Sequence, residues 1–77
     1  MQIRMFTKAY CSYCHAAKNL LNKRGLEFEE VSVSGDVEAE QKMRELTGGR
    51  TVPQIIIDDK PIGGYTELVE LDMEGEL

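Results

Sequence analysis

Three consecutive isoleucines, Ile55-Ile56-Ile57, restrict this chain more than any other stretch. Successive side chains of a β-strand point to opposite faces, so an unbroken apolar run leaves neither face for water. The strand that carries it must lie inside a sheet covered on both sides. A chain of 77 residues has room for one such layered core. The spacing of the remaining apolar residues supplies the covering layers. Ile3 to Phe6 reads as a first strand. Cys11 to Arg24 carries Ala17, Leu20 and Leu21 at helical spacing and stops at Gly25. Phe28 to Val33 is a second strand, and Asp36 to Thr47 a second helix with Ala39, Met43 and Leu46 on one face, closed by Gly48-Gly49. Val52 to Ile57 is the buried strand. Asp58-Asp59 turns the chain into a return strand, Lys60 to Ile62. After Gly63-Gly64 a last helix runs from Tyr65 to Met73 with Leu68 and Leu71 inward.

The order β-α-β-α-β-β-α predicts an α/β fold: a four-stranded mixed sheet flanked by three helices, in one domain over residues 1–77. The helix joining the first two strands makes them parallel with a right-handed crossover. The hairpin makes the last two antiparallel. Fourteen acidic against nine basic residues give a net charge of −5. That balance disfavours nucleic acid and anionic membranes, both of which select clustered Lys and Arg. No stretch approaches the ~18 apolar residues of a membrane span, and the N-terminus lacks the apolar core of a secretion signal. A cytoplasmic location is expected.

A small domain that needs stapling carries several disulfides. This one has two cysteines, Cys11 and Cys14, and a bridge between them would close too short a loop to stabilise much. The pair therefore points to chemistry. It lies where the first strand hands over to the first helix. Residues three apart on a helix share a face, so the two sulfurs can approach bonding distance. Cys11 stands at the helix N-terminus, where unpaired N–H groups and the dipole stabilise a thiolate. Cys14, one turn in, meets fewer donors and less solvent. Cys11 is thus the attacking thiol and Cys14 the resolving one, with Lys8 adding a positive charge before the turn. A C-x-x-C pair beside a βαβ pattern is a thioredoxin-like redox motif. The same residues run on to His15, formally a c-type haem site, but no apolar cage surrounds that histidine. Two cysteines and one histidine fall short of the four ligands of a structural zinc. No metal is expected on these grounds.

Two further marks stand out. Thr51-Val52-Pro53 opens the buried strand, where proline's missing N–H is tolerated. It is either plain punctuation or a place where the Val52 backbone, freed from the sheet, pairs with an extended substrate. Gly63-Gly64-Tyr65-Thr66 precedes the last helix. It is either a hairpin exit capped by Thr66 or an anion site on helix N–H groups, to which Arg50 could add a contact. Tyr13 lines a groove or covers the helix end. The acidic stretch Glu67, Glu70, Asp72, Glu74 and Glu76 reads as a solvated face and a frayed terminus.

Taken in order, Tyr10-Cys11-Ser12-Tyr13-Cys14, Thr51-Val52-Pro53 and Gly63-Gly64 make the whole chain resemble a small bacterial-type dithiol glutaredoxin. The resemblance implies a thioredoxin-like fold with the first strand central, a cis bond before Pro53, and glutathione as reductant. It implies catalysis by Cys11 and Cys14 and a glutathione groove formed by Lys8, Tyr13, Arg50, Thr51, Val52 and Pro53, closed by Gly64, Tyr65, Thr66 and Glu67. Helix N–H groups near Thr66 would take the γ-glutamyl carboxylate, and Lys8 and Arg50 the glycyl end. The substrates implied are protein disulfides and protein–glutathione mixed disulfides, acted on by a monomer. Ser12 departs from the usual proline, and Thr66-Glu67 from a usual aspartate. Relatives with Cys-Ser-Tyr-Cys suggest one alternative: a 2Fe–2S carrier or sensor in which Cys11 from each of two subunits, with two glutathiones, holds the cluster. A thioredoxin-like reductant served by a flavoprotein is a third reading, disfavoured by Tyr13 before the second cysteine.

Overall fold

A computed structural model describes all of residues 1–77. Its elements are β1 (Ile3–Thr7), α1 (Ser12–Lys23), β2 (Glu29–Ser32), α2 (Val37–Thr47), β3 (Gln54–Ile57), β4 (Lys60–Gly63) and α3 (Tyr65–Met73). The sheet order is β2-β1-β3-β4, with β1 and β3 central. β1 pairs parallel with β2 and antiparallel with β3, and β3 pairs antiparallel with β4. This is the thioredoxin-like arrangement.

The isoleucine run does what its pattern requires. Ile55 packs with Ile3, Met5, Ala17, Leu21 and Leu68 on the face covered by α1 and α3. Ile56 turns the other way, to Phe6, Val33 and Met43 beneath α2. Burial of each such side chain is worth about 1.5–3 kcal/mol relative to exposure. At the far ends of α1 and α3, Arg24 grips Asp72 through two bonds of 2.6 and 2.8 Å.

The helix and turn signals act locally. Asp36 caps α2 by accepting the Ala39 N–H at 3.0 Å, and Gly48 ends it in the left-handed region. Asp58 and Asp59 both take positive φ, 49° and 66°, as a two-residue hairpin turn demands.

Four expectations need correction. β3 starts at Gln54, not Val52: the Val52–Pro53 bond is cis and diverts the chain before the ladder begins. β2 is shorter than Phe28 to Val33, although Val33 still donates to the Thr7 carbonyl at 2.8 Å. Leu46 is 42% exposed, because it lines the open cavity shared with Met1, Arg4 and Phe28 instead of packing in the cluster around Met43. Thr66 does not cap α3. Gly64 is the N-cap, and Glu67 reaches back to accept its N–H at 2.7 Å.

Candidate active site

The site forms where β1 ends. Thr7 is buried, and the exposed segment Lys8-Ala9-Tyr10 leads to Cys11, which is the N-cap of α1. The Cys11 sulfur accepts the Cys14 N–H at 3.2 Å. A sulfur placed to accept a helix N–H is held in the field that favours negative charge. The same Sγ lies 3.9 Å from the Val52 carbonyl. Cys11 is half-buried and Cys14 is 1% exposed, and both thiols are free.

The two thiols are electrically unlike. Burial pushes the Cys14 thiol up to about 11, and its hydrogen bond with Cys11 and the neighbouring Cys11 charge act in the same direction. A backbone hydrogen bond with Lys8 and the charge of Lys18 oppose them. Cys14 therefore stays protonated at neutral pH, poised to yield its proton only when a disulfide forms at Cys11. Behind it, Glu30 accepts from the buried Thr7 hydroxyl at 2.7 Å and from Lys18 at 3.0 Å. The Thr7 bond, then the Lys18 bond, hold the Glu30 carboxyl below its ordinary range.

Beside Cys11 a groove of about 470 Å³ runs between the Thr51–Pro53 segment and the start of α3. Its walls include Tyr13, Thr51, Val52 and Pro53 on one side and Gly64, Tyr65, Thr66 and Glu67 on the other. The Tyr13 and Tyr65 rings meet at 5.9 Å, inclined by 32°. Gly64 is tightly fitted here: a Cβ would sit 3.2 Å from the Pro53 carbonyl, closer than ordinary van der Waals contact. The Val52 N–H has no partner within the protein, and the Val52 carbonyl faces only the Cys11 thiol. That leaves a donor and an acceptor open beside the reactive sulfur. Lys8 and Arg50 are exposed and pair with no carboxylate, but they do not line the groove. Glu67 has one oxygen committed to the Gly64 N–H.

One lining residue escaped the sequence reading, Gln54, while Gly63, read there as part of the glycine pair before the last helix, also lines the groove. Gln54 carried a signal, since it is the one polar residue of β3 and is nevertheless buried. A larger cavity, about 620 Å³, lies at the opposite end of the sheet among Met1, Arg4, Phe28 and Leu46 and contains neither thiol. No three His, Cys, Asp or Glu side chains are grouped to hold a metal. Cys11 is the one cysteine with an accessible sulfur, so a shared cluster would need its remaining ligands from outside this chain.

A dithiol on a strand-to-helix turn, with one sulfur reachable and the other buried behind it, defines a thioredoxin-like thiol–disulfide oxidoreductase. Within that class the comparisons are specific. The glutaredoxin family model matches residues 3–62. The chain is 41% identical over 75 residues to glutaredoxin 3 of Escherichia coli K12, covering 97% of this chain and 90% of that protein. It is 41% identical over 76 residues to a Neisseria meningitidis glutaredoxin, covering 97% and 89%. Among solved structures, glutaredoxin from Brucella melitensis superposes with a TM-score of 0.84 at 37% identity, over 99% of this chain and 83% of that one. A buckwheat glutaredoxin–glutathione complex gives 0.83 at 31% identity, over 97% and 71%. The chain belongs to the glutaredoxin family.

Proposed function

We propose that the protein is a glutathione-dependent reductant of protein disulfides and protein–glutathione mixed disulfides, working as a monomer in the cytoplasm. The observation that carries this reading is the open Val52 backbone, placed 3.9 Å from the Cys11 sulfur at the head of a groove. An extended cysteinyl peptide pairs with such a backbone as an added strand, which brings its own sulfur to Cys11. The tripeptide's carboxylate meets the N–H groups at the start of α3, and the exposed Arg50, next to Thr51 of the groove wall, attracts its other negative end.

The exchange balances in two steps. The Cys11 thiolate attacks the glutathione sulfur of a mixed disulfide; the old S–S bond breaks and the protein leaves as thiolate. A second glutathione thiolate then attacks Cys11–S–SG, releasing oxidised glutathione and the Cys11 thiolate. With a protein disulfide, Cys14 gives up its proton and attacks the intermediate, forming the Cys11–Cys14 bridge that two glutathiones reduce. The high Cys14 pKa supports this division, since a protonated thiol does not compete with Cys11 for the first attack.

The test is glutathione-coupled reduction of a small mixed disulfide. Cys11→Ser is expected to be inactive, while Cys14→Ser keeps deglutathionylation and loses reduction of protein disulfides. A folded wild-type protein inert in this assay would overturn the glutathione reading. An active Cys11→Ser beside a dead Cys14→Ser would reverse the roles.

A further inference from the structure

Tyr10, the residue before the nucleophile, combines two features that local preference opposes. Its backbone is left-handed, with φ 59°, a region that bulky side chains other than Gly, Asn and Asp rarely enter. Its ring is fully exposed, with 103% relative accessibility, so burial of the aromatic surface does nothing to stabilise the position. Glycine or asparagine would hold the same turn with less strain and better solvation. The turn is built, not loose. Ser34 accepts the Ala9 N–H at 2.8 Å, and the Val33 N–H donates to Thr7 at 2.8 Å, so the segment is tied on the β2 flank of β1. The sheet order puts that flank opposite β3 and β4, whose ends wall the groove. Tyr10 thus extends the surroundings of Cys11 toward the side the groove leaves open. Lys8, two residues earlier, is exposed and unpaired there.

We propose that Tyr10 is a specificity-determining residue for the polypeptide half of the disulfide. A protein bearing that disulfide is wider than the groove and rests on what surrounds Cys11. On the β2 flank it meets a flat aromatic ring with a free ammonium group nearby. The favoured partner is a polypeptide whose cysteine is flanked by an aromatic residue, to stack on Tyr10, and by a carboxylate, to meet Lys8. This rests on the reading of the groove as the glutathione site.

The test compares kcat/KM on four glutathione mixed disulfides: with free cysteine, with a short peptide carrying Phe and Glu beside its cysteine, with the same peptide carrying Gly for Phe, and with Lys for Glu. Wild type is expected to prefer the Phe–Glu peptide over the Gly–Glu peptide by about two- to tenfold, the range of one aromatic contact. Tyr10→Asn and Tyr10→Gly keep the turn and should erase that preference; Tyr10→Phe should retain it. All three should reduce the cysteine disulfide at the wild-type rate. The Lys peptide should react more slowly than the Glu peptide, with the gap shrinking as salt rises. A preference that survives Tyr10→Gly, or an equal loss on the cysteine disulfide and on both peptides, would overturn the role of the ring. A Lys peptide as fast as the Glu peptide would overturn the acidic preference. The cysteine disulfide reports separately on the glutathione reading, because wild type must reduce it whatever Tyr10 does.

Discussion

Replacing Gly63 by alanine tests how the groove wall is held. Gly63 ends β4 at φ 112°, a conformation that disfavours any Cβ, and this alone costs about 1–2 kcal/mol for an L residue. The new Cβ would also sit 2.7 Å from Glu67 Oε1 and 2.8 Å from its Cγ. Glu67 would have to move, and its side chain is the group that caps Gly64 at the start of α3. Loss of such a cap contributes about 0.5–2 kcal/mol. The expected total is about 1.5–4 kcal/mol, or roughly 6–30 °C in Tm for a domain of this size. Urea and thermal unfolding of Gly63→Ala, Glu67→Ala and the double variant separate the two causes. Glu67→Ala should cost the cap alone. Adding Gly63→Ala to it should then cost only the backbone share, so the double variant is less destabilised than the sum of the singles. Strict additivity would refute the contact with Glu67. A Gly63→Ala protein within about 0.5 kcal/mol of wild type would refute both causes, since that is the scale of a neutral surface change.

Two pH effects follow, one from the buried Cys14 and one from Glu30, whose side chain is partly exposed. The Cys14 thiol is raised from 9.0 to about 11 in the folded state, so its stabilising share is complete below pH 9 and is lost as pH rises toward 11. That amounts to about 2–3 kcal/mol. Denaturation across pH 8–11 should show the loss in wild type and not in Cys14→Ala. Glu30 is shifted the opposite way, so its share is present above its unfolded pKa and disappears as pH falls through the lower folded value. Thr7→Val removes the larger cause. It should raise the Glu30 titration, read by carboxyl NMR, and cost about 1 kcal/mol near neutrality.

Legibility tracked the distance over which each cause acts. The isoleucine run, the glycine stops and the Asp36 cap are local, and the elements they define were readable with their order. The Cys11–Cys14 pair was readable for the same reason, since helix geometry alone brings those residues together. Errors arose where a partner lay far along the chain. Leu46 satisfies the helical period, yet it lines an open cavity with Met1, Arg4 and Phe28, residues far from it in sequence. Thr66 is a good cap by residue type, but the hairpin delivers Gly64 to that position and Glu67 competes for its N–H. Gln54 is buried and bonded to Thr51 at 3.4 Å inside the groove wall, a contact that β-propensity does not encode. The Ser34 brace on Ala9 spans the two loops that follow β1 and β2, and neither loop announces it.

Strand direction explains why these distant segments meet at one place. β1 delivers Cys11 from its carboxyl end. β3 runs antiparallel to β1, so it is the start of β3, with Thr51, Val52 and Pro53 before it, that lies at that same end. β4 reverses again, which brings its exit, Gly63, and the first turn of α3 to the same edge. The parallel β2 ends there as well, and Ser34 follows it. Four stretches separated by up to tens of residues therefore converge because the strand directions alternate as they do. The reactive sulfur stands at the centre of that edge, with the groove on the β3–β4 side and Tyr10 on the β2 side. On the two proposals made above, a mixed disulfide lies across the sulfur, its glutathione half in the groove and its polypeptide half against Tyr10, so each half is chosen by separate contacts.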